Sequence, residues 1–297
     1  MKNSGALMKI TRALLVLFVV AGSCLTSSSQ PVTFPESPLV RRIDSCLAQL
    51  VQMREEIKDI HPYLSSLHPV AVVERDDLYI FDIDSGSGTY RLQQKGPSPF
   101  PMPKGIRASF PLAAYGGKPS CVVSPDVFDE PGGYATIFHE FIHCVQSLTV
   151  EPALKQNLDI AQQAVRSNNY SWEINHAFPY QDSVFIKQYS SFLEALGKGD
   201  QKTIGESMST LRRHLVRPDY EYMVWEEWKE GFARFIENKI RARLGIPANR
   251  GGAEPPYNRV TFYYGGELFI GYLVWKDEDL LTDVEKLFGK MLGVHEE

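Results

Sequence analysis

The chain lacks the marks of several large protein classes. Its 31 Lys and Arg are outnumbered by 36 Asp and Glu over 297 residues, a formal net charge of −5. No basic surplus is present to meet a phosphate backbone, so nucleic acid is not an expected partner. Apolar runs are short. The one at Ala13–Ala21 spans nine residues, well under the roughly 20 that cross a bilayer as a helix. No internal repeat is visible, which argues against solenoids and arrays. Cysteine is scarce at four. Set Cys24 aside and an odd three remain, Cys46, Cys121 and Cys144, so no disulfide framework is encoded. An oxidising compartment would allow a single Cys46–Cys121 bridge, which the sequence does not establish.

What is present describes a globular protein, with 43% hydrophobic and 23% charged residues. Lys2, Lys9 and Arg12, the apolar run after them, and Gly22-Ser23-Cys24 read as a secretion signal over residues 1–23. The expected location is outside the cytoplasm: periplasmic, secreted or lipid-anchored. Cys24 follows two small residues, as at a bacterial lipoprotein processing site, so lipid anchoring there and soluble export stand as two readings. Loss of the three cations in residues 1–23 would take the formal charge from −5 to −8. Residues 24–37 read as a Ser/Pro-rich linker, and 38–297 as one domain.

Histidine is rare, 7 of 297, yet His139 and His143 stand four apart with Glu140 beside the first. On a helix, residues i and i+4 share a face, so both rings can bind one Zn²⁺ at about 2.0–2.1 Å. Glu140, about 100° around the helix, reaches a water at the open coordination position instead. Phe138, Phe141, Ile142 and Val145 gather on one arc and His139, His143 and Gln146 on the opposite one. The pattern predicts a buried amphipathic helix with its polar seam toward a cleft. Cys144 is turned away from His143 and reads as a small buried hydrophobe.

A catalytic zinc site needs a third protein ligand. The best candidates lie on a helix around Met223–Asn238, where Glu226, Glu230 and Glu237 share one face within about 40° and Glu227 lies about 60° off. Gly231 and Ala233 set Glu230 apart, because small residues let another helix come close. Lys229-Glu230-Gly231-Phe232-Ala233 resembles the Asn-Glu-Gly-Phe-Ala segment of gluzincin metallopeptidases, in particular the aminopeptidase N and leukotriene hydrolase family. The resemblance implies His139, His143 and Glu230 as zinc ligands and Glu140 as general base. Phe262-Tyr263-Tyr264-Gly265-Gly266 resembles that family's Tyr-x-Lys-Gly helix start, whose Tyr stabilises the tetrahedral intermediate. Aligning on Gly266 assigns that role to Tyr263, with Tyr264 the alternative. The likeness spans about 40 residues. The chain departs from it in the separation of 87 positions from His143 to Glu230, in Lys229 and Gly265, and in having no Gly-x-Met-Glu-Asn element to capture a substrate's free N-terminus.

The rest of the chain supports an α+β fold, and the gluzincin resemblance implies a thermolysin-like zincin core within it. Apolar positions from Leu39 to Ile57 recur at helical spacing. Val70–Glu74, Leu78–Asp82, Thr89–Leu92 and Ser120–Ser124 read as strands, with a Pro-rich break at Gly96–Gly105. An accessory helix and sheet over 38–128 are expected to precede a helical zinc-binding part over 129–297, with residues 151–217 a helical hairpin inserted between the ligand helices. The Cys121 strand is the expected sheet edge for substrate. Glu173 and His176 are candidate supporting or substrate groups, and Arg212, Arg213 and His214 candidate carboxylate binders. The function expected is zinc-dependent hydrolysis of peptide or protein substrates. The alternative is a zinc-binding scaffold or peptide-binding lipoprotein without turnover.

Overall fold

The computed structural model describes residues 37–99 and 101–293. The signal segment, Cys24 and most of the linker lie outside the described residues. A serine starts the first helix: the Ser37 side chain accepts from the Val40 amide and Pro38 sits at the first position, where its missing N–H costs nothing. This helix, α1 (Pro38–Ile57), turns Val40, Ile43, Leu47, Leu50 and Ile57 into the core.

Five strands follow: β1 (Val70–Glu74), β2 (Asp77–Ile83), β3 (Tyr90–Pro97), β4 (Arg107–Leu112) and β5 (Lys118–Val123). They form one sheet in the order β3-β2-β1-β5-β4. β1 pairs antiparallel with β2 and parallel with β5, while β2–β3 and β4–β5 are antiparallel. Strand alternation splits the apolar residues between two faces. Val70, Val72, Cys121 and Val123 pack with the helices. Ala71, Val73, Leu78, Ile80 and Val122 face a smaller cluster closed by Met102 and Ile106.

β4 has no counterpart in the predicted strands, and it corrects the expected edge. β5 is flanked by β1 and β4, so the Cys121 strand has no open side and β4 is the edge instead. The Cys46–Cys121 bridge is not formed: both cysteines are free, Cys46 on α1 and Cys121 buried in β5.

Helices make up the remainder. α2 (Pro131–Thr149) leads to α3 (Glu151–Gln156), α4 (Asp159–Arg166), α5 (Trp172–Asn175), α6 (Ser183–Lys198) and α7 (Gln201–His214). Where one hairpin was expected between the ligand helices there are five helices, with only α6 and α7 forming such a pair. α8 (Arg217–Arg243) is buried on nearly every side from Tyr220 to Trp228, as befits a central helix. α9 (Arg259–Lys276) packs along it, and α10 (Val284–Leu292) closes the chain's described part. The α8–α9 crossing is close: a Cβ on Gly231 would fall 2.5 Å from the Cα of Gly266. Gly231 thus lets α9 come close. Among the described residues, no helix is long and apolar enough to cross a membrane.

Candidate metal centre

Three helices assemble the site. α2 carries His139, Glu140 and His143, all buried. α8 brings Glu226, Glu230 and Glu237 from its single acidic stripe, also buried. α9 starts at a capping box in which Asn258 and Thr261 exchange side-chain bonds with each other's backbone. That cap fixes Arg259 at the first turn and Tyr263 one turn on.

His139 Nε2 and His143 Nε2 are 3.1 Å apart, and Glu230 Oε2 lies 3.2 Å from the second and 3.5 Å from the first. Two ligands about 2.05 Å from one tetrahedral ion are separated by about 3.3 Å. The triangle therefore has the dimensions of three corners of such a site. This buried cluster of two histidines and a glutamate can hold a metal ion.

The outer partners fix which ring nitrogens face inward. His139 Nδ1 is 3.0 Å from Glu237 Oε2, an acceptor only, so Nδ1 carries the proton. Glu237 is itself held by Arg241 at 2.7 Å and Arg234 at 3.3 Å, and by Asn249 at 3.2 Å. Gln146 donates through Nε2 to the Lys229 carbonyl and presents Oε1 to His143 Nδ1 at 2.9 Å. Both imidazoles thus turn Nε2 toward one point, 3.1 Å apart, an arrangement that a shared cation or proton stabilises. The pull on positive charge is large. Burial opposes charging His139, yet the carboxylates of Glu230 and Glu237 outweigh it and push its pKa up to about 10. Burial likewise opposes the Glu230 charge, and His143, His139 and Arg259 hold its pKa well below the usual carboxylate range. Glu237 is held down to about 2 by His139 and its arginines despite burial.

Glu140 lines the same cavity. Burial raises its pKa while the adjacent imidazoles draw it back, the setting of a carboxylate that both takes and returns a proton. Tyr263 lines it too, its ring stacked on that of His139 at 6.5 Å between centroids. Of the two tyrosines, Tyr264 is not among the cavity's lining residues.

Arg259, absent from the sequence reading, joins these groups. It donates to Tyr263 Oη at 2.6 Å and to Glu230 Oε1 at 2.8 Å. Its Nε lies 2.8 Å from Glu226 Oε2, an ion pair without hydrogen-bond geometry. Burial and Glu230 raise the Tyr263 pKa and Arg259 opposes them, so the phenol keeps its proton for donation. No spacing rule ties an arginine 29 residues downstream to Glu230; only the Tyr263 motif one turn later marked this helix.

Other candidates divide. Glu173 reaches the cavity wall on α5, 2.5 Å from Lys229 and 2.6 Å from Lys155. His176 pairs with Asp219 at 2.7 Å instead. Arg212 bonds the Gly293 carbonyl, Arg213 bonds Ser209 and His214 bonds Asp182, and none of the three lines the cavity. Cys144 is buried with Sγ 3.1 Å from Ser109 Oγ. Burial pushes its thiol up to about 12, so it carries no thiolate to offer a metal.

Comparison with protein-family models, with curated proteins and with solved structures returns no match to this chain.

Proposed function

We propose that this chain is an exported zinc-dependent peptidase with a thermolysin-like core and a gluzincin ligand set of His139, His143 and Glu230. The observation that carries the reading is the placement of Glu140 and Tyr263 on one cavity with the three convergent ligand atoms. Two imidazoles and one carboxylate are the donor set of catalytic zinc sites that leave a position open. Zinc bound there would polarise a substrate carbonyl and make a water molecule acidic enough to be deprotonated near neutral pH.

The chain's own groups supply the rest. Glu140 takes the proton from the attacking water, whose oxygen adds to the carbonyl carbon of the amide. Tyr263, held by Arg259, donates its hydroxyl hydrogen bond to the oxygen that gains negative charge. Glu140 then passes its proton to the amide nitrogen as the C–N bond breaks. β4 contributes Ala108–Pro111 to the cavity wall and stands at the edge of the five described strands, where extended substrate backbone can align.

The test pairs metal analysis with a peptide-library digest of the wild type and Glu140→Gln. The expected result is about one zinc per chain in both proteins and cleavage by the wild type alone, blocked by a chelator. Zinc in both with cleavage by neither makes the protein a binding scaffold. No zinc in either removes the metal from the reading.

A further inference from the structure

Building on the peptidase reading, we propose that the cleft takes internal stretches of a polypeptide and recognises neither chain end, with apolar substrate side chains seated against Tyr170 and Ile174. Exopeptidases hold a terminus by charge. A terminal carboxylate requires a cation with hydrogen-bonding capacity to spare, and a terminal ammonium requires a carboxylate likewise.

Among the described residues lining the cleft, each of the five cations already has a carboxylate partner in the protein. Arg107 is 2.8 Å from Asp126 and also bonds Ser124 and the Ile106 carbonyl. Lys155 lies 2.9 Å from Glu151 and 2.6 Å from Glu173. Lys229 lies 2.5 Å from Glu173 and 3.3 Å from Glu151. Arg234 is held by Glu237 and the carbonyls of Asn249 and Gly251. Arg259 spans Glu226, Glu230 and Tyr263. The same pairs occupy Glu151, Glu173, Glu230 and Glu237. Glu140 remains, and its place beside the ligands commits it to the reacting water. Glu151, Glu230 and Glu237 are buried, and redirecting their cations to a substrate terminus would strand these carboxylates without compensation.

What the wall does offer is apolar. Tyr170 is 79% exposed and Ile174 74% exposed, and both line the cleft, where large apolar surface left to water marks a place for a ligand. The groove does not stop there. A second cavity of about 560 Å³ shares Lys155, Tyr170 and Glu173 with the first and has a floor of buried Ala161, Ala164 and Trp172. A substrate chain that extends past the reacting bond on this side would meet that second cavity, whose lining adjoins the cleft.

The experiment compares peptides taken from the library digest, each made with free ends and with an acetylated N-terminus and amidated C-terminus. Internal cleavage with kcat/KM equal within about threefold for the two forms is expected. A loss of about tenfold or more on blocking either end, or stepwise release of terminal residues, overturns the proposal. The double variant Tyr170→Ser, Ile174→Ser should raise KM about fivefold or more at unchanged kcat, and an unaltered KM removes the apolar seat. Should the wild type cleave nothing, the peptidase reading fails by itself. Peptides of the undigested library, each with free and with blocked ends, are then titrated into zinc-loaded Glu140→Gln by fluorescence anisotropy. Equal Kd for blocked and free ends supports the proposal; no binding, or binding that requires a free end, overturns it.

Discussion

Arg259 takes one oxygen of Glu230, with Nη2 2.8 Å from Oε1, and leaves Oε2 to face the two imidazoles. The same guanidinium holds the Tyr263 hydroxyl at 2.6 Å. Arg259→Met should therefore lower kcat about tenfold or more with little change in KM, and Tyr263→Phe should cost much less in that background than in the wild type. A double-mutant cycle of kcat measures the coupling; two losses that simply multiply would separate Arg259 from Tyr263.

Glu237 fixes the His139 ring through Nδ1 at 3.0 Å. Glu237→Ala should weaken zinc binding about 10–100-fold, the usual cost of removing a partner that orients a ligand. Competition against a chromophoric chelator reads this directly, without reference to turnover.

The α8–α9 crossing leaves no room at Gly231, where an added Cβ meets only backbone: Cα and C of Gly266 at 2.5 and 2.7 Å and the Glu267 amide nitrogen at 2.9 Å. Gly231→Ala should cost about 2–4 kcal/mol in urea unfolding. It should also displace Arg259 and Tyr263 from Glu230, so that activity falls further than the loss of folded protein explains.

Glu227 is buried beside Tyr189 Oη at 2.6 Å. Burial pushes its pKa up to about 8 against the Tyr189 hydrogen bond. A carboxyl raised above its unfolded value binds its proton more tightly when folded, so its contribution is full below about pH 4.5 and declines as pH rises toward 8, by about 1.4 kcal/mol per unit at most. Glu227→Gln should flatten that decline, and the variant should gain on the wild type between pH 5 and 8 in thermal melts. Parallel curves for the two proteins would contradict it.

Periodicity made part of the site legible. The i, i+4 spacing of His139 and His143 is local, and a helix converts it directly into geometry. The acidic stripe of Glu226, Glu230 and Glu237 was equally visible, but its division of labour was not. One member faces the two imidazoles, one orients His139 and one pairs with Arg259, and these duties are set by α2 and α9 rather than by α8 itself. β4 escaped notice because it follows a Pro-rich stretch and contains Pro111, which breaks the apolar alternation that signals a strand. The exposure of Tyr170 and Ile174 has no signature in sequence, since both residue types are ordinarily taken for core.

The order of the elements along the chain has a bearing on biosynthesis. A ribosome delivers α2 with its two imidazoles long before Glu230 exists, and Glu230 before Arg259 and Tyr263. The full constellation comes into being only once α9 has followed α8 in synthesis. A nascent chain thus holds histidines but no assembled centre, and a break in translation anywhere before α9 yields a fragment that lacks Arg259 and Tyr263.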